Sequence, residues 1–134
     1  MKLLLVAVTL VAGPLAALST PSAAWADPAY DACIDATSSN TGWDACGGAW
    51  IRREQAGLDR ALTEASRAAS PVQRRDLNAE QRAWASYASA ACRYWSNADA
   101  GRENQVLAYP SCRAELIAAR TAQLRALATA FAPQ

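Results

Sequence analysis

Apolar residues recur every three or four positions along three long stretches of this chain, and no stretch alternates residue by residue. A period of that kind confines the fold to helices. Alanine supplies about a quarter of residues 27–134, and β-branched residues are few, which favours helix further. The first stripe is Trp50, Ile51, Leu58, Ala61, Leu62 and Ala65. The second is Leu77, Gln81, Trp84, Ala88, Ala91 and Trp95, flanked by Tyr87 and Tyr94. The third is Ile117, Arg120, Leu124, Leu127 and Phe131.

Turn and cap residues place the boundaries. Asp27 caps a short first helix with Pro28 in its first turn, ending near Ala36. Residues 38–42, Ser-Ser-Asn-Thr-Gly, form a turn. A second helix is expected from about Trp43 to Ala69, with Thr41 as its cap and a kink or late start at Gly47-Gly48. Ser70 and Pro71 open a third, which runs to about Ser96. Residues 102–109 give no clear signal beyond a short helical turn. The last helix is expected from Pro110 or Ser111 to Ala130. Short links make neighbouring helices antiparallel. The expected fold is therefore all-α: a disulfide-braced bundle of three long helices plus a short N-terminal helix.

The start of the chain reads as a secretory signal peptide over residues 1–26. Lys2 gives the positive end, Leu3 to Leu18 are apolar apart from Thr9, and Ala24-Trp25-Ala26 is a small-x-small cleavage pattern. Gly13-Pro14 interrupts the run, which is too short for a membrane span of about 20 apolar residues. No cysteine precedes Cys33 to accept a lipid. A secreted or periplasmic protein is expected, with no stable membrane anchor after cleavage. Residues 27–134 would form its single domain.

Without the leader, twelve Arg face twelve acidic residues and no Lys remains. A neutral chain lacks the basic surface that nucleic acid requires. The chain has no His, which removes the Ser-His-Asp triad, the Cys-His pair and His-containing zinc sites. No catalytic residue, cofactor or metal site is expected, and so no enzyme. The pairs Asp31/Asp35 and Asp76/Glu80 lie one helical turn apart, but with Arg74, Arg75 and Arg82 around the second they read as solvated charge. Gly47-Gly48 follows no strand and is not a nucleotide loop.

Four cysteines, Cys33, Cys46, Cys92 and Cys112, read as two disulfides in an exported chain of this size. Of the three pairings, Cys33–Cys46 and Cys92–Cys112 each close one connection between helices. The second joins the end of one helix to the start of its antiparallel neighbour. Each loop is worth roughly 3 kcal/mol by the chain-entropy argument.

Two polar residues interrupt the stripes. Arg120 lies between Ile117 and Leu124, and Gln81 between Leu77 and Trp84. A buried Arg must find a carboxylate, carbonyl groups or water. It therefore either fixes helix register within a polar network or lines a binding groove. Most of the aromatic residues are expected to fill the core. Trp43 and Tyr109, beside turns, are the candidates to anchor a partner.

Residues 77–84, Leu-Asn-Ala-Glu-Gln-Arg-Ala-Trp, then Cys92, then residues 112–120, Cys-Arg-Ala-Glu-Leu-Ile-Ala-Ala-Arg, resemble the LprI-type lysozyme inhibitor family. Gln81, Arg82 and Trp84 match its Gln-Arg-Ala-Trp core. Leu116 and Arg120 match a Leu-Thr-x-x-Arg run in which Ile117 replaces Thr. Cys33 and Cys46 stand where the family has its first two cysteines. The resemblance runs from about Asp31 to Leu127. The chain departs from the family at Ser89-Ala90-Ala91, where Arg-Asp is usual, at the loop that keeps only Gly101, and at residues 58–62, where Leu-Asn-x-x-Tyr is usual. What the resemblance implies is a small exported helical domain that binds a protein, lysozyme first among candidates, and blocks a cell-wall hydrolase. The alternative is a cell-envelope binding or scaffold module with a non-lysozyme partner. The neutral charge counts against long-range attraction to a cationic lysozyme.

Overall fold

The computed structural model describes residues 27–97 and 101–132, and the expected leader lies outside them. It contains four helices, α1 (Pro28–Asp35), α2 (Asn40–Ala68), α3 (Pro71–Asn97) and α4 (Arg102–Ala130), and no strand among the described residues.

Each helix start has a local cause. The Asp27 carboxylate accepts from the amides of Ala29 and Tyr30 at 2.9 and 3.0 Å, and Pro28 fits the first turn. Ser70 and Gln73 form a reciprocal capping box: the Gln73 amide donates to the Ser70 hydroxyl, and the Ser70 amide donates to the Gln73 side chain at 2.8 Å. The α2 cap is Ser39 instead of Thr41. Its hydroxyl accepts from the Gly42 amide at 3.1 Å, so the helix starts at Asn40, before Trp43. The Trp43 indole N–H donates to the Thr37 carbonyl at 3.0 Å and closes the α1–α2 turn.

The last helix also begins earlier than expected. Residues 102–109 are its first two turns, and Pro110 lies inside α4. A mid-helix proline normally ends or kinks the helix because its ring crowds the preceding turn and its N–H is lost. Here the ring is buried against Gly47 of α2. A Cβ on Gly47 would fall 2.5 Å from Pro110 Cγ. The glycine pair is therefore no late start: α2 is helical without a break through Gly47 and Gly48.

Helix α4 is the centre of the molecule. It packs most extensively on α2, and on another side on α3, while α1 packs on α2. Gly47 meets Pro110 near one end, and Ala65 lies with Leu127 at the other, so α2 and α4 run parallel. The main core joins Leu58, Ala61 and Ala65 of α2 to Ile117 and Leu124 of α4. Leu58, Ile117 and Leu124 are fully buried, each worth roughly 1.5–3 kcal/mol. A second cluster joins Tyr30 of α1, Cys46 and Trp50 of α2, and Ala114 of α4. Tyr30 and Trp50 meet with ring centroids 4.5 Å apart.

The disulfides pair Cys33 with Cys46 and Cys92 with Cys112, at Cα–Cα distances of 5.7 and 5.6 Å. The first ties α1 to α2; the second ties the end of α3 to the start of the antiparallel α4. No helix among the described residues is long and apolar enough to cross a membrane.

Candidate functional site: the α3–α4 groove

Helix α3 buries a narrow stripe. Its buried residues are Ala88, Cys92 and Ser96, spaced by four and all small. That stripe departs from the expected one, which stepped through Ala91 to Trp95. The Cys92–Cys112 bond fixes the rotation of α3, so Cys92 and Ser96 face inward and Trp95 turns out. Trp95 is 64% exposed, Tyr94 76% and Tyr87 61%. None of the three fills the core; for Trp95, expected on the core stripe, this is a departure, while Tyr87 and Tyr94 flank the stripe as expected. All three border a groove of about 530 Å³ with Ala91, whose α4 wall includes Ser111, Glu115 and Leu116.

Side chains at positions 87, 91, 94 and 95 share one face because residues three or four apart in a helix are neighbours. Tyr and Trp dominate binding energy at protein interfaces, since they offer large rigid area at low entropy cost. The groove floor is fixed by a disulfide, so little ordering remains to be done on binding. Glu115 is exposed and supplies the groove's only formal charge among its lining residues.

A smaller groove of about 310 Å³ lies at the opposite end of the molecule, between Leu77, Ala65, Leu127 and Phe131, with Asp76 and Glu80 at its edge. Leu127 and Phe131, both expected in the core, are partly exposed there, at 38% and 47%.

The sequence-derived candidates fall in different places. Gln81, Trp84 and Arg120 come together. Arg120 is 5% exposed and donates from Nε to the Gln81 side chain at 2.9 Å and from one terminal nitrogen to Gln123 at 3.3 Å. Its other terminal nitrogen is bound by the Glu80 carboxylate. Its guanidinium carbon lies 6.0 Å from the Trp84 ring centroid, within reach of the ring's negative face. The whole guanidinium is therefore engaged inside the protein. Arg82 is exposed on α3, away from this network, and Leu116 lines the aromatic groove. Trp43 and Tyr109 are half-buried and outside both grooves. No group of three or more His, Cys, Asp or Glu able to hold a metal occurs among the described residues.

Sequence reasoning set Tyr87 and Tyr94 beside the stripe, put Trp95 in the core, and gave Glu115 no role. The signal that finds them is the cysteine itself. Once Cys92 is taken as the centre of the inward line, steps of four give Ala88 and Ser96, and Trp95, three residues on, lies to one side of that line.

The model of the family described as lysozyme inhibitor LprI matches residues 33–124. The chain belongs to the LprI family. No curated protein and no solved structure matches the chain. The LprI span begins at the first cysteine and ends at Leu124 in the core. It takes in both disulfides, the Arg120 network and the whole α3–α4 groove, and stops short of Leu127 and Phe131.

Proposed function

We propose that this protein is an exported lysozyme inhibitor that docks on the enzyme through the α3–α4 groove, with cleavage after Ala26 leaving residues 27–134 as its single domain. The observation that carries the docking face is the exposure of Tyr87, Tyr94 and Trp95 beside a disulfide that holds them in place. LprI membership supports inhibition as the outcome of docking. Both cysteine pairs are bridged, which fits an oxidising compartment. The Ser111 hydroxyl in the groove donates to the Leu107 carbonyl at 2.9 Å, and on this reading the groove acts by covering a surface.

The test mixes the oxidised protein with a c-type lysozyme and a cell-wall suspension and follows loss of turbidity. Inhibition should saturate with added protein and weaken when the disulfides are reduced. Undiminished lysis at a large molar excess of oxidised protein would favour the other reading, an envelope binding module with a different partner.

A further inference from the structure

The chemistry of the aromatic groove selects one kind of occupant. Tyr87, Tyr94 and Trp95 present π faces, which carry negative quadrupole potential and attract cations, Trp most strongly. The only charged group lining the groove is the Glu115 carboxylate. Nothing neutralises it: the ion pairs among the described residues are Arg53–Asp27 and Arg120–Glu80. On its own helix, positions three and four away from Glu115 hold Ser111, Cys112, Ala118 and Ala119, so no helical neighbour offers a cation. An uncompensated carboxylate beside three exposed aromatic rings, on the outside of a neutral chain, is built for a positive charge on an apolar stem.

We infer that the α3–α4 groove takes a single Arg or Lys side chain projecting from the partner protein, its head on Glu115 and its stem along Tyr94 and Trp95. The inference rests on the inhibitor reading for the partner's identity but not for the chemistry of the groove. It also answers the objection from net charge: attraction to a basic partner comes from a local negative groove and needs no acidic surface overall. Exposed contacts of this kind weaken with salt.

The chemistry is tested on the whole protein with N-acetyl-arginine amide as probe and its neutral isostere, N-acetyl-citrulline amide, as control. The Trp95 indole N–H resonance, assigned by its loss in Trp95→Phe, reports occupancy. The arginine probe should shift it saturably and the citrulline probe should not. Glu115→Gln, which removes charge and keeps shape, should weaken the arginine probe by about fivefold or more. Equal shifts from both probes, no saturable shift, or a shift produced by a neutral chitin oligosaccharide would overturn the inference. So would a groove closed by a second copy of the chain in sedimentation at the same concentration.

Lysozyme inhibition by Glu115→Gln and Trp95→Ala separates this inference from the inhibitor reading. If wild type inhibits and both variants inhibit equally well, the inference falls and the inhibitor reading stands. If the arginine probe binds but lysozyme is never inhibited, the inhibitor reading falls and the groove stands as a cation site. Both positions, 95 and 115, are exposed, so unchanged melting temperatures are expected to exclude unfolding as the cause.

Discussion

Arg120 sits on an apolar stripe, and every arm of its guanidinium is engaged inside the protein, which supports a role in holding helix register. The stripe position was legible from spacing alone; the partners were not, since Glu80 and Gln81 lie forty and thirty-nine residues away and meet Arg120 only when α3 and α4 pack. The Glu80 side chain is 54% exposed and the Arg120 side chain 6%, so the pair is half solvated and worth less than a buried one. Arg120→Ala should destabilise the protein by about 2–3 kcal/mol, below the range for a fully buried pair. Arg120→Lys should rescue little, because an ammonium cannot reach Gln81, Gln123 and Glu80 together. Urea unfolding of both variants checks this, and an Arg120→Ala protein of unchanged stability would return the residue to the list of partner contacts.

Asp27 does two jobs at one carboxylate. It caps α1 and receives Arg53 of α2, from Nε at 3.1 Å and from a terminal nitrogen at 2.7 Å. Burial raises its pKa, but the Arg53 hydrogen bond, the Tyr30 and Ala29 amides and the Arg53 charge outweigh burial and hold it below the usual carboxylate value. A carboxylate depressed in the folded state stabilises fully above its unfolded pKa and loses that contribution as pH falls through the folded value. Asp27→Asn keeps a capping oxygen and loses the charge. Its stability should fall less steeply than wild type below about pH 4, as thermal unfolding across a pH series will show.

At the scale of elements, the helices were legible because their stripes were long and their caps conventional. Apart from the α2 cap, which moves locally from Thr41 to Ser39, the places where the chain departs from expectation are those governed by a contact distant in sequence. Gly47-Gly48 and Pro110 look separately like two helix breakers. Packed together, one removes the Cβ that would block the other, and both helices continue. Gly47→Ala forces its methyl into the rigid proline ring and should cost about 1–3 kcal/mol. Gly48→Ala meets only the flexible end of Arg52, at 3.4 Å, and should stabilise by about 0.5–1 kcal/mol through helix propensity. Opposite signs at adjacent glycines, read by melting temperature, are the signature of this contact; two equal changes would deny it. Helix α3 teaches the same lesson by rotation: counting from Trp84 in steps of four and three puts Trp95 inside, whereas the bond to Cys112 puts it outside.

At the scale of the molecule, net charge and charge placement differ. Twelve Arg and twelve acids cancel across residues 27–134, yet the charged side chains lining the two interhelical grooves are all acidic: Glu115 in one, Asp76 and Glu80 in the other. The aromatic residues show a matching division. Tyr30, Trp50 and Trp84 hold the frame together, and Tyr87, Tyr94 and Trp95 are left on its outside. The LprI-family frame thus leaves exposed aromatic rings and one carboxylate on a single face, which on the proposed reading docks on a basic protein. Amide hydrogen exchange of the oxidised protein, with and without lysozyme, tests that most directly. Exchange should slow in residues 87–95 and 111–116 and stay unchanged around Trp43 in the α1–α2 turn; no protection anywhere, or protection confined to that turn, would contradict it.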